Sequence, residues 1–255
     1  IAVQLEFRLD GKISWERLTT CAIAVSHVPE TFPFDRSGAW NQLPAVKIPY
    51  YHNLRASHPL KGNNDFHAAA RFAWNKTGLY LRFEVGDDQF CPAPENIPVH
   101  ARWSYETIQL YFDAYGDARA KLKNNSVGYG EDDFSYELIP QNEKSMLVFR
   151  RDAPDHQLTG GVLGGLLPNR IVPEIPAAFS WYNQKIRFYT VKFPARYLMP
   201  LSLKTGSSAG IGISIWDRDG GNAAAPVKAV LQNVNPLSGS PFRSPHLYPQ
   251  FLLVP

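Results

Sequence analysis

The chain has 255 residues, 44% of them apolar and 19% charged, with 21 prolines, 18 glycines and a net charge of +3. That length buries a substantial core, and the balance is that of a globular, turn-rich chain rather than a disordered or fibrous one. There is no basic block to suggest nucleic acid and no apolar run near the roughly 20 residues of a membrane-spanning helix, and Cys21 and Cys91 are too few for a disulfide scaffold or a four-cysteine zinc site.

The two cysteines could form one bridge or remain thiols. Because residue 1 is Ile, any signal peptide is expected to lie outside this sequence. Residues 3–9 and 21–28 predict a pair of strands around a turn at Asp10-Gly11, and Pro29 and Pro33 flank a boundary. Residues 1–30 are therefore expected to be an N-terminal extension or the end of an upstream domain, with one domain over 31–255.

His52, His58 and His67 follow at spacings that match no compact metal motif, so they are expected to be loop histidines. The clearest hairpin comes next. Ala68, Ala70, Phe72 and Trp74 alternate, Asn75-Lys76-Thr77-Gly78 turns, and Leu79, Leu81, Phe83 and Val85 alternate again. Asn75-Lys76-Thr77 and Asn124-Asn125-Ser126 also fit the glycosylation sequon, which matters only in a eukaryotic secretory pathway. Asp87 and Asp88 end the hairpin, and a loop carrying Pro92, Pro94 and Pro98 leads to Trp103.

From Glu106 the alternation is strict, with Ile108, Leu110 and Phe112 on one face and Thr107, Gln109, Tyr111 and Asp113 on the other. The first face is core, and the second can hydrogen-bond a polar ligand. An indole at the mouth of such a strand, beside an amide and a phenol, suits a pyranose, which offers a C–H face and a rim of hydroxyls. A Trp that simply closes the sheet edge is the plainer expectation for Trp103 taken alone.

Asp132 and Asp133 open another strand, with Phe134, Tyr136 and Leu138 inward and Ser135, Glu137 and Ile139 outward. The paired glycines at 160–161 and 164–165 lack the strand and helix that a phosphate loop requires. Residues 186–193 predict a strand, and the stretch from Pro194 to Pro200 has room for no more than a short helical turn. Ile211, Ile213 and Ile215 form the next core face, while Gly210, Gly212 and Ser214 leave the opposite face nearly bare, a sign of close approach by a loop or ligand. Asp217 and Asp219 follow, and residues 227–234 and 251–254 close the chain. About eleven short strands without a long helix predict an all-β fold, an antiparallel β-sandwich of two sheets, immunoglobulin-like or jelly-roll-like, with long loops and an N-terminal strand pair.

Five segments in order resemble the family 9 carbohydrate-binding modules and the wider group of DOMON-like sandwiches: Trp40; Trp74 with Gly78-Leu79-Tyr80-Leu81; Trp103 with 106–113; Gly130-Glu131-Asp132-Asp133; and Gly210-Ile211-Gly212-Ile213 ending at Asp217. The likeness covers residues 34 to 255. It implies a sugar clamped by two aromatics, Trp103 and, in the loop 235–243, Phe242, which replaces the family's second tryptophan. Gln109 stands where the family has an acidic ligand residue, and Glu137 and Ile139 where it has an arginine and an asparagine; Tyr111, Ser135 and Arg243 complete the expected site.

The resemblance also implies structural calcium, with Asp87, Asp88, Asp132, Asp133, Asp217 and Asp219 as its hard oxygen ligands. It further implies a non-catalytic, secreted or extracytoplasmic module of a larger polysaccharide-active protein, with a carbohydrate ligand and a neighbouring domain as partners. Catalysis would need two carboxylates flanking a cleft, for which Glu106, Asp133 and Glu137 are the candidates. Two further readings stay open: a haem-binding DOMON-type electron-transfer domain using Met146 or Met199 with a histidine, and a ligand-free domain that braces a neighbour.

Overall fold

The computed structural model describes residues 7–9, 12–14, 22–53, 66–118, 129–154, 167–218, 229–234, 242 and 244–255. In chain order the strands are β1 (Phe7–Leu9), β2 (Lys12–Ser14), β3 (Ile23–His27), β4 (Val46–Lys47), β5 (Tyr50–Asn53), β6 (Phe66–Asn75), β7 (Gly78–Asp87) and β8 (Ile108–Asp113). They continue as β9 (Asp133–Asn142), β10 (Ser145–Asp152), β11 (Arg170–Ile171), β12 (Ala177–Tyr182), β13 (Ile186–Pro194), β14 (Ser208–Asp217), β15 (Ala229–Gln232) and β16 (Gln250–Leu253). Helical structure among the described residues is confined to short 3-10 turns, one of them at Ala195–Tyr197 between the prolines that the sequence marked.

Fourteen of these strands form one sheet that folds over on itself into a sandwich. One layer runs β11-β10-β9-β8-β14-β16 and the other β6-β7-β13-β12, with β3 between them. β3 makes the corner by pairing parallel to β16 through Ile23–Val25 and parallel to β6 through Ser26 and His27. Every other pairing in the sheet is antiparallel. Ahead of the boundary expected near residue 30, β3 is held on both sides, and Val28 packs with Trp40, Ala73 and Tyr80. A strand that bridges two layers removes two edges that would otherwise stay open, which explains why the segment belongs to the fold. Among the described residues β1 and β2 pair only with each other.

The alternating residues meet between the layers. Phe72, Trp74, Leu81, Phe83, Ile108, Leu110, Phe112, Ile211, Ile213 and Ile215 all lie in the main buried cluster. Edge-on contacts lock the layers together, with Phe72 and Phe251 ring centres 4.7 Å apart and Phe112 and Phe193 6.0 Å apart.

The alternation along β8 predicts a strand wet on one side, yet all six of its residues are buried. Its outer face is covered because Gly212, opposite Tyr111 in register, admits the ring of Tyr248, which stacks on Tyr111 at 6.1 Å. A Cβ at 212 would come within 2.7 Å of two carbons of that ring. The bare face of β14 is thus filled by a side chain from the segment before β16.

Tyr248 is fully buried and cannot yield cheaply. Gly212→Val is expected to lower stability by about 1–3 kcal/mol in urea unfolding, the range for overpacking a close-packed site. An unchanged or raised midpoint, as an ordinary strand glycine would give, contradicts this packing.

Candidate functional site: an aromatic cavity on the outer face of the central strands

The chain enters β8 through a 3-10 turn at Val99–Ser104. Arg102, itself buried, fastens that turn by donating from Nε to the carbonyl of Ile97 and from Nη2 to that of Glu95, each at 2.8 Å. Thr107 Oγ1 donates to the carbonyl of Arg102, and the Trp216 amide donates to that of Thr107. This bracing presents Trp103 outward, 40% exposed, with its ring 5.0 Å from that of Trp216 and nearly perpendicular to it. Trp103 therefore does not close the core.

Below it, strand register aligns one side chain from each of several strands. Gln109 of β8 faces Glu137 of β9 on one side and Ser214 of β14 on the other, and Ser214 faces Gln232 of β15. Trp216 lies two residues beyond Ser214 and so shares its face.

Hydrogen bonds fix the orientation of the Gln109 amide. Its Oε1 accepts from the Tyr111 hydroxyl at 2.5 Å and from Trp216 Nε1 at 2.7 Å, while its Nε2 donates to Glu137 at 3.0 Å. Two donors require the oxygen and a carboxylate requires the nitrogen, so only one amide hydrogen is left for anything else. Arg151 closes the row with two bonds to Glu137, and its Nη2 also donates to the carbonyl of His100 at 2.9 Å. Burial raises the Glu137 carboxyl, against which the Arg151 and Gln109 bonds favour its charged form.

These residues surround a cavity of about 400 Å³ lined by Trp103, Gln109, Tyr111, Arg151, Ser214, Trp216, Gln232 and Phe242. Phe242 is 45% exposed, and its ring lies 6.3 Å from that of Tyr111, steeply inclined. Four of the expected site residues, Trp103, Gln109, Tyr111 and Phe242, are thus brought to one cavity. Glu137 is 1% exposed and stands behind Arg151 and Gln109 instead of on the wall. Ser135 is buried and donates to Asp152 at 2.6 Å. Arg243 lies outside the described residues.

Sequence reading missed Arg151, Ser214, Trp216 and Gln232. Trp216 could have been found by carrying the β14 alternation two residues further. The other three depend on register between strands.

The acidic residues form two groups whose oxygens lie within 4.8 Å of one another, Asp87 with Glu106 and Asp217, and Asp113 with Asp132 and Asp133. The first group contains its own cation. Arg187 is buried and donates to Glu106 at 2.7 Å and to Asp87, while burial pushes the Glu106 carboxyl upward.

The second group differs. Backbone amides of Asp117 and Ala118 serve Asp113, that of Tyr115 serves Asp132, and that of Gly130 serves Asp133. No basic side chain bonds Asp113 or Asp133 among the described residues, and Asp133 Oδ1 is buried without a hydrogen bond. Burial first, then the neighbouring carboxylates, raise Asp113 to about 6 and Asp133 to about 7. Either group has the oxygen donors to hold a metal ion, and in the second no basic side chain bonds Asp113 or Asp133 among the described residues. Asp88 is exposed and in neither group, and Asp219 lies outside the described residues.

Among curated proteins, none matches this sequence. Among solved structures, the chain is similar to a family 9 carbohydrate-binding module from Caldicellulosiruptor kristjanssonii in complex with glucose, at 15% identity and a TM-score of 0.59 over 91% of this chain and 95% of that one. The corresponding complex with cellotriose gives 14% identity and a TM-score of 0.60 over 91% and 93%. At these identities the likeness establishes a shared fold. The description "Carbohydrate family 9 binding domain-like" matches residues 36–233, well over half of the chain, and the chain belongs to that family.

Proposed function

We propose that this domain is a non-catalytic carbohydrate-binding module that takes a sugar, or the end of a polysaccharide chain, into the aromatic cavity. A pyranose would stack its C–H face on Trp103 and Phe242, with Tyr111 and Trp216 bounding the space. Its hydroxyls would be met by Arg151, Ser214, Gln232 and the remaining Gln109 amide hydrogen. Glu137 acts one step back, holding Arg151 and Gln109 in place.

The observation that carries this reading is the cavity itself: exposed aromatics over a hydrogen-bonded polar row, in a volume suited to a small ligand. Binding without catalysis is favoured because no carboxylate lines it among the described residues, and hydrolysis needs two of them about 5–10 Å apart. A secreted, accessory role beside a polysaccharide-active domain accords with a module of this kind.

Calorimetric titration with glucose and cellotriose tests the site. Trp103→Ala is expected to cost about 1–3 kcal/mol of binding, and Phe242→Trp, which enlarges the stacking area, to preserve or strengthen it. Glucose affinity should change little with salt, since no ion pair to the ligand carries it. Full affinity in Trp103→Ala would remove the sugar from this cavity and favour a bracing role.

We further propose that Asp113, Asp132 and Asp133 hold calcium. Without metal, the folded chain keeps protons on Asp113 and Asp133 that the unfolded chain, with carboxyls near 3.8, has already lost. Stability in chelator should therefore fall as pH rises from about 4 to about 7. Calcium would supply positive charge to these carboxyls, so the melting temperature should rise on its addition at pH 7 and respond less as the pH is lowered toward 5. Equal melting curves with calcium and with chelator at pH 7 contradict the assignment.

A further inference from the structure

The bare face of β14 brings the aromatic cavity and the second acidic group side by side. Gly210 pairs in register with Asp113 and Gly212 with Tyr111, so the two sites lie two residues apart along the same pair of strands, roughly 7 Å at the rise of a strand. Tyr248 covers both levels. A Cβ at 210 would lie 3.2 Å from the Cβ atoms of Tyr248 and of Asp113, and one at 212 would lie 2.7 Å from the Tyr248 ring and 3.3 Å from that of Tyr111. We propose that Tyr248 is a positioning residue shared by the two sites, so that a cation held by Asp113, Asp132 and Asp133 and a sugar in the aromatic cavity each strengthen the binding of the other. The inference rests on the sugar and calcium sites proposed for this domain and adds the link between them.

On the cavity side, Tyr248 supports two of the aromatic walls. Its ring is fully buried and stacks on Tyr111 at 6.1 Å, so in a close-packed cluster Tyr111 keeps its place only while Tyr248 does. Phe242, whose ring meets Tyr111 at 6.3 Å, is tied to Tyr248 along the chain. Ser244 Oγ donates to the carbonyl of Phe242, the Leu247 amide to that of Ser244 and the Tyr248 amide to that of Pro245, at 3.3, 3.0 and 3.0 Å.

On the acidic side, two of the three carboxyls reach the same tyrosine. Asp113 flanks its Cβ at Gly210, and Asp133 accepts from the amide of Gly130, next to Tyr129, which packs against the cluster of Tyr111, Val234 and Tyr248. Asp133 also keeps one oxygen buried without a hydrogen bond, and the three carboxyls offer oxygens within 4.8 Å of one another. Like charges this close resist convergence until a cation draws them together. Occupancy then fixes Asp113 and the turn at Gly130, and with them Tyr248, so a sugar meets walls that are ordered before it arrives.

The test is a calorimetric cycle on the whole chain at pH 7, with glucose titrated in chelator and in saturating calcium, and calcium titrated with and without saturating glucose. Glucose is expected to bind about fivefold more tightly in calcium, the low end for coupled sites, and calcium to gain by the same factor in glucose, as linkage requires. Tyr248→Phe keeps the ring and should keep that factor. Tyr248→Met, which fills the space without a flat ring, should bring the factor close to one while calcium still raises the melting temperature. A lower melting temperature in Tyr248→Met with the factor unchanged is the mark of a merely structural residue and overturns the proposal. Should that variant not fold, Tyr129→Ala on the half-buried flank of the same cluster should shrink the factor instead, and an unchanged factor there counts equally against the link. Equal glucose affinity in calcium and in chelator, with both ligands binding, overturns the coupling and spares both sites. Binding of glucose without any binding of calcium removes the metal site and this link with it, and failure of both glucose and cellotriose removes the carbohydrate reading and the link together.

Discussion

The central strand β8 is buried on both faces, and every polar group on its outer face must therefore find a partner. This constraint organises the whole site. Gln109 resolves it by accepting from Tyr111 and Trp216 and donating to Glu137, and Glu137 in turn requires Arg151. A buried carboxylate without that guanidinium would be costly, and the guanidinium without the carboxylate would keep only its bond to the His100 carbonyl. The result is a rigid floor whose geometry is set before any ligand arrives. Trp103 sits above it on a separately braced turn, so the stacking surface and the polar floor are both preorganised.

Much of the fold was legible because strand alternation is a local signal. Ile108, Leu110 and Phe112, and likewise Ile211, Ile213 and Ile215, occupy the core faces that their spacing predicts. The strand at residues 21–28 was legible, but not its place at the corner, because its partner β16 lies at the opposite end of the sequence and no local pattern announces parallel pairing. Glycine at 210 and 212 did signal close approach, but not that the visitor is the ring of Tyr248.

The site divides along the same line. Trp103, Gln109 and Tyr111 could be singled out from one strand and the turn before it, and Phe242 from the family resemblance. Arg151, Ser214 and Gln232 come to the cavity only through register, and sequence spacing does not encode register. The acidic groups show the same limit. Asp132 and Asp133 were visible as a pair, whereas Asp113 joins them because β8 and β9 align it with Asp133. Glu106 meets Asp87 through Arg187, a residue far along the chain from both.

The central claim is that a sugar ring occupies the space between Trp103 and Phe242 above Gln109. A crystal structure of the protein with cellotriose tests it most directly. The account predicts a pyranose stacked on Trp103 and Phe242, its hydroxyls in hydrogen-bond contact with Arg151, Ser214 or Gln232, and Glu137 still bonded to Arg151 and Gln109. A ligand bound on another face, or one whose ring leaves both aromatics untouched, would contradict it.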